Sequence, residues 1–137
     1  MKQSRRFEEV KPGEELPPLE VPTTASLVVG GALASRDFTP VHHDKAAAQA
    51  QGLPDVFMNI LTTNGLVGRY VTDWAGPDAL VRGVRTKLGG PNLPGDVLKL
   101  RGKVAEAKDG VVAIQVTGNN AWGNHVSATV TVELPRR

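Results

Sequence analysis

From Leu80 onward the chain reads as strands only, and one long helical pattern stands before them. That order constrains the fold more than any other feature. Leu98, Leu100 and Val104 alternate with Lys99, Arg101 and Lys103, and Val112, Ile114 and Val116 alternate with Ala113, Gln115 and Thr117. Val126, Ala128, Val130 and Val132 share a further face, and Leu80–Leu88 supplies one more strand. A period of two places one apolar face on each strand. Lys108-Asp109-Gly110 predicts a hairpin turn, and Ala121-Trp122-Gly123-Asn124 separates the last two strands. An antiparallel sheet with one apolar face needs a cover, and the helical segment is the candidate.

The spacing predicts a helix over about 56–74, capped by Asp55 after Pro54 and stopped by Gly76-Pro77. Val56, Ile60, Thr63, Val67, Val71 and Trp74 recur at steps of three and four, widened by Phe57, Leu61 and Tyr70. Gly65 and Gly68 each cost about 1 kcal/mol relative to alanine inside a helix, so close contact with the sheet is expected to offset them. An α+β fold follows, an antiparallel sheet wrapped around a central helix. Upstream, Ser26–Leu33 predicts a buried strand, with Gly30 and Gly31 marking a bulge or a close backbone approach. Asp44 caps a short helix through Ala50, and Gly52 ends it. Residues 1–22, with Lys11-Pro12-Gly13, Pro17-Pro18 and Pro22, predict an extended N-terminal arm on a single domain of 23–137.

With 137 residues and 40% hydrophobic residues, the chain has enough apolar material for one core, built from Val, Leu, Ile and Ala because aromatics are 4%. A net charge of +2 favours an anionic small ligand but carries no nucleic-acid signature. The chain has no cysteine, which excludes disulfides and thiolate chemistry and fits a reducing compartment. No stretch approaches the roughly 20 apolar residues of a membrane span, and the polar start Met1–Gly13 does not read as a signal peptide. The expected setting is cytoplasmic.

The chemistry points to Asp37-Phe38-Thr39-Pro40-Val41-His42-His43-Asp44. A proline-stiffened loop sets a carboxylate and an imidazole close in sequence, as a proton-transfer site requires. Asp37 and His42 are the candidate catalytic pair; His43 is a solvated neighbour and Asp44 a helix cap. A purely structural turn, with Asp37 accepting backbone N–H bonds, is the plain alternative. The start of the long helix offers unpartnered N–H groups and the positive end of a dipole, around Met58 and Asn59. A thioester oxygen gaining charge would be stabilised there. Asn59 and Asn64 also carry amides along this helix. Arg82, Arg85 and Lys87 are candidates for contact with phosphate. His125 is expected on the sheet face opposite Val126 and Val130, toward solvent or a partner. No metal site is expected, since adjacent histidines do not converge on one ion.

RDFTPVHHDKAAAQAQG, followed by a long helix and a strand block carrying Pro94-Gly95-Asp96, resembles the MaoC-like branch of the hot-dog fold. That family includes (R)-specific enoyl-CoA hydratases. Its pattern of Asp, four residues, His, one residue, Asp is met by Asp37, His42 and Asp44, and the resemblance spans about 7–134. More narrowly, DVFMNILTTNGLVGRYVTDWAGPDALV resembles the small subunits of heteromeric steroid side-chain enoyl-CoA hydratases in cholesterol-degrading bacteria. The resemblance implies hydration of an acyl-CoA, with a steroid side chain as the acyl group. Asp37 and His42 would be the dyad and a second MaoC-like chain the partner, in a 2:2 assembly. No cofactor is implied, coenzyme A being part of the substrate. Family members carry His-Gly where the long helix begins, whereas this chain has Met58-Asn59; a backbone N–H survives the change. A self-paired homodimer, a hot-dog acyl-CoA thioesterase and a non-catalytic acyl-CoA-binding subunit are the alternatives.

Overall fold

The four strands expected from Leu80 onward are present in an antiparallel sheet. The computed structural model describes residues 2–137; Met1, the first residue of the expected arm, lies outside them. Five strands are formed: β1 (Glu15–Pro22), β2 (Leu80–Leu88), β3 (Val97–Lys108), β4 (Val111–Asn120) and β5 (Gly123–Glu133). They lie in the order β1-β3-β4-β5-β2, each neighbour antiparallel. Asp109 and Gly110, both at positive φ, make the β3–β4 turn. The inward residues Leu98, Leu100, Val104, Val112, Ile114, Val116, Val126, Val130 and Val132 are all buried. Each stabilises the fold by roughly 1.5–3 kcal/mol relative to an exposed side chain.

Three helices accompany the sheet: α1 (Ala25–Ala34), α2 (Lys45–Ala50) and α3 (Ile60–Ala75). α3 packs on the apolar sheet face through Thr63, Leu66, Val67, Tyr70, Val71 and Trp74. It starts four residues later than expected, because Asn59 and not Asp55 is its cap: the Asn59 Oδ1 accepts the Thr62 N–H at 3.0 Å. The Asp55 carboxylate turns back to its neighbour Val56 N–H instead. Ile60 and Leu61, expected on the buried face, are exposed.

The glycines of α3 also serve differently from expectation. A Cβ at Gly65 or Gly68 would meet nothing within 4 Å, so neither permits contact with the sheet. The close approach is made from the strand side, where a Cβ at Gly102 would meet Tyr70 Cε1 at 2.8 Å. A side chain there would push β3 off the helix.

Ser26–Leu33 lies in α1 and is not a strand. Thr24 caps it by accepting the Leu27 N–H at 3.0 Å. A short unbroken apolar run carries no period that separates helix from strand. Of its glycines, Gly31 is a true close approach, since a Cβ there would meet Thr62 Cγ2 of α3 at 2.8 Å.

Residues 15–22 of the expected arm are extended but belong to the sheet as edge strand β1, paired with β3. The register shifts between Leu16 and Leu19, where Pro17 and Pro18 cannot donate to a ladder. Val10, Leu16 and Val21 enter the core. The preceding stretch is fastened by Arg5 N–H to Ala75 O, Phe7 N–H to Pro135 O and the Arg5 guanidinium over the Trp74 ring. Among the described residues no helix is long and apolar enough to cross a membrane.

Candidate active site

Asp37 stands at the exit of α1. Ser35 ends that helix, Arg36 takes a left-handed turn at φ 55°, and the Asp37 N–H bonds back to Ala32 O at 2.9 Å. One oxygen of Asp37, Oδ1, accepts from Thr39 N–H at 3.2 Å and Thr39 Oγ1 at 2.7 Å. Pro40 then opens a single 3-10 turn, Pro40–His42, which lifts His42 back over Asp37. Asp44 accepts from Ala46 N–H and Ala47 N–H and starts α2, while His43 is exposed. The chain order of aspartate, proline turn and histidine therefore gives a hairpin-like return, closed below by a capped helix.

The two functional groups meet. His42 Nε2 lies 3.3 Å from Asp37 Oδ2. The other ring nitrogen, Nδ1, lies 2.6 Å from Phe57 O. A carbonyl only accepts, so Nδ1 carries the hydrogen and Nε2 is left to take a proton. The Phe57 ring stands edge-on to the imidazole at 4.9 Å and fixes its plane. When Nε2 carries no proton, it and the carboxylate are both acceptors, and a water donating to both would satisfy the pair. The side chain of Asp37 is 24% exposed and that of His42 only 9%, so the acceptor pair opens to one side.

Asp37 is held well below the ordinary carboxylate range, at about 2. The Thr39 hydroxyl contributes most, then the Asn59 amide and the Thr39 N–H, against a smaller opposing effect of burial; the positive form of His42 adds least. Asp37 is therefore a permanent anion near neutral pH.

The start of α3 borders this pair. Met58 N–H is not free: it donates to Asn92 O at 3.0 Å, so Met58 cannot serve as an oxyanion donor. The Asn59 and Ile60 N–H groups make no hydrogen bond among the described residues. They lie at the positive end of a 16-residue helix. The Asn59 side chain does more than its sequence suggests, donating through Nδ2 to Asp37 Oδ2 at 3.0 Å and to Ser35 Oγ at 2.9 Å.

Several supporting residues were given no role at the site by the sequence. Asn92, fully buried, accepts through Oδ1 from Thr23 Oγ1 and Asn120 Nδ2 and so fixes the carbonyl that holds Met58. Asp96, part of Pro94-Gly95-Asp96, ties the β4–β5 turn by accepting Ala121 N–H. His125 is buried, not on the outer face. A register shift between Gly118 and Asn119 lets His125 and Val126 both turn inward. Its Nδ1 donates to Gly90 O at 2.8 Å and its Nε2 accepts the Thr63 hydroxyl at 2.9 Å. Burial holds its pKa below the usual histidine value. Since the Thr63 hydroxyl has one hydrogen, its longer contact with Asn59 O is not a second donated bond.

Arg82, Arg85 and Lys87 are not brought to the pair. Arg82 is bound to Glu133 on the neighbouring strand. Arg85 and Lys87 line a shallow hollow of about 360 Å³ with Ser127 and Thr129. That hollow is on the sheet face away from α3, since the intervening Thr86 is the residue that bonds α3, through Asn64 Oδ1. Among the described residues no three His, Asp or Glu side chains gather as a metal site would require. Leu33 of α1, Phe38 next to Asp37 in the chain, and Ile60 and Leu61 at the start of α3 are exposed, Phe38 by 64%.

Comparison with known proteins places the chain and its fold. The chain is 46% identical over 122 residues to the 3-oxo-4,17-pregnadiene-20-carboxyl-CoA hydratase beta subunit of Mycobacterium tuberculosis, covering 89% of this chain and 95% of that protein. It superposes on the crystal structure of the ChsH1-ChsH2 complex from the same organism with a TM-score of 0.89 at 45% identity, covering 91% of this chain and 98% of that one. The R-hydratase PhaJ1 of Pseudomonas aeruginosa shares the fold, with a TM-score of 0.88 at 20% identity over 98% of this chain and 88% of that one. The MaoC like domain model matches residues 7–133, from the first anchored residues of the arm to the end of β5, and the chain belongs to that family.

Proposed function

We propose that this chain is the catalytic subunit of an enoyl-CoA hydratase that adds water across the α,β double bond of a steroid side-chain acyl-CoA. The observation that carries the reading is the pair itself: an anionic Asp37 oxygen and the His42 Nε2 3.3 Å apart, with the second imidazole nitrogen 2.6 Å from the Phe57 carbonyl oxygen. Water held between them gives its proton to His42 Nε2 as its oxygen attacks the β-carbon. Asp37, held at about 2, stays ionised, aims the water and stabilises the imidazolium. The proton then passes from the His42 side to the α-carbon, so one O–H bond and the C=C π bond are broken and one C–O and one C–H bond are formed. Asp37 is thus an orienting anion rather than the proton carrier. The Asn59 and Ile60 N–H groups face the charge that builds on the thioester oxygen. A single donor of this kind is worth roughly 100- to 1,000-fold in rate.

The steroid acyl group is supported by the similarity to the pregnadiene-carboxyl-CoA hydratase beta subunit and by the exposed apolar residues of α1, Phe38 and the start of α3. The same similarity, with that to the ChsH1-ChsH2 complex, supports a second MaoC-like hot-dog subunit as partner. Strand β2 offers an unpaired edge for it. The reaction needs no cofactor beyond the coenzyme A of its substrate, and a cytoplasmic setting belongs to the same proposal. Contact of Arg85 and Lys87 with the coenzyme A phosphates requires the nucleotide to reach the opposite face of the sheet.

The test is product analysis. The chain, coexpressed with a candidate MaoC-like partner, is incubated with a steroid side-chain enoyl-CoA and with a short-chain one. A hydrated acyl-CoA, formed faster from the steroid, is expected. Release of free coenzyme A would instead identify a thioesterase, and binding without turnover a non-catalytic subunit; either result overturns the proposal.

A further inference from the structure

We propose that the Asn59 side chain is a positioning residue of the reaction, coupling the cap of α3 to the Asp37 oxygen that faces His42. The inference rests on the hydratase reading above and deepens it. Asn59 is 3% exposed and every polar atom of its amide is engaged. Oδ1 accepts from Thr62 N–H and from the Thr62 hydroxyl. The two Nδ2 hydrogens go to Asp37 Oδ2 at 3.0 Å and Ser35 Oγ at 2.9 Å. The orientation of the amide is fixed by its surroundings, because only its nitrogen suits a carboxylate and only its oxygen suits an N–H. Ser35 is itself anchored, its hydroxyl lying 2.7 Å from Gly31 O in α1. One amide therefore joins the end of α1, the start of α3 and the catalytic carboxylate.

The geometry at Asp37 shows what this does. Oδ1 is occupied by Thr39. Oδ2 is shared by Asn59 and His42. With three protein donors on two oxygens, the carboxylate has one remaining direction, toward Nε2. Removing the Asn59 donor frees the carboxylate to rotate about its Cβ–Cγ bond, on which only Thr39 would still act. Asn59 thus gives this chain both a backbone N–H at the helix start and a side-chain hold on Asp37.

Capping and positioning are separable. Serine caps helices as well as asparagine does, since its hydroxyl oxygen also reaches the N–H of the third helical residue, but its side chain is too short to reach Asp37. Asn59→Ser in the complex is expected to keep the thermal midpoint near that of the native protein, lower kcat roughly tenfold and change KM little. In an Asp37→Asn background, where the hold has lost its anion, Asn59→Ser is expected to add no further loss. If the serine chain does not fold, Asn59→Thr, a second capping residue, reads the same outcome. A native kcat in the capping variant, or an equal fractional loss in both backgrounds, would reduce Asn59 to a helix cap and overturn the inference. The hydratase reading itself would fall by a different result, undiminished hydration in Asp37→Asn alone.

Discussion

At the scale of single residues, the hydrogen bonds of Asp37 set its charge. Thr39 contributes the largest share of the lowering to about 2. Thr39→Val removes the hydroxyl but keeps the N–H, so the Asp37 carboxyl is expected to titrate closer to its ordinary 3.8, as followed by carboxyl-selective NMR, and turnover to fall. Because the folded-state pKa is depressed, the stabilising contribution of this carboxylate is fully present above about pH 4 and is lost as pH falls toward 2. His125 follows the same sign. Its pKa is lowered by burial, so stability is full above the ordinary histidine pKa of about 6.5 and declines as pH falls below it. Thr63→Val leaves Nε2 buried without a donor and is expected to cost about 1–3 kcal/mol, measurable by urea denaturation.

At the scale of elements, glycines report which faces touch. Gly31→Ala forces α1 away from Thr62 and is expected to destabilise by about 1–3 kcal/mol. Gly65→Ala meets open space on a helical position and is expected to stabilise the isolated chain by about 0.5–1 kcal/mol. Paired urea titrations check both signs. These positions also show what was legible. Strand β3 was readable because alternation of Leu98, Leu100 and Val104 with lysine and arginine leaves one interpretation, and β4 and β5 show the same period. α1 was not, because SLVVGGAL is apolar throughout and its decisive features are the Thr24 cap and the contact with Thr62. The start of α3 was misplaced because Asp55 and Asn59 are both good caps. Tertiary contact chose between them: Val56 and Met58 are drawn into the core and Met58 N–H to Asn92, which leaves Asn59 to begin the helix.

At the scale of the whole molecule, the pair stands between the exit of α1 and the start of α3, with the Asp37 side chain partly open to solvent. Asp37 and His42 were legible as a pair, since aspartate, a proline turn and histidine after a supposed core strand describe a rigid mount, and helix α1 supplies that mount instead. The hold by Asn59, the carbonyl of Phe57 and the buried Asn92 were not, because they join segments far apart in sequence. The unpaired edge of β2, with Leu80, Val81 and Leu88 exposed along it, suits a second hot-dog chain. A charge placed there, as in Val81→Lys, is expected to weaken assembly with the partner while leaving the Asp37–His42 pair in place. Size measurement of the mixed chains checks this.

The most direct test of the account is the rate of enoyl-CoA hydration by the assembled complex carrying Asp37→Asn or His42→Ala. Circular dichroism and size should show the native fold and assembly retained. The account predicts that each substitution lowers kcat by about 100- to 10,000-fold. Hydration at close to the native rate in both would contradict it, since the chemistry would then lie elsewhere than in the pair.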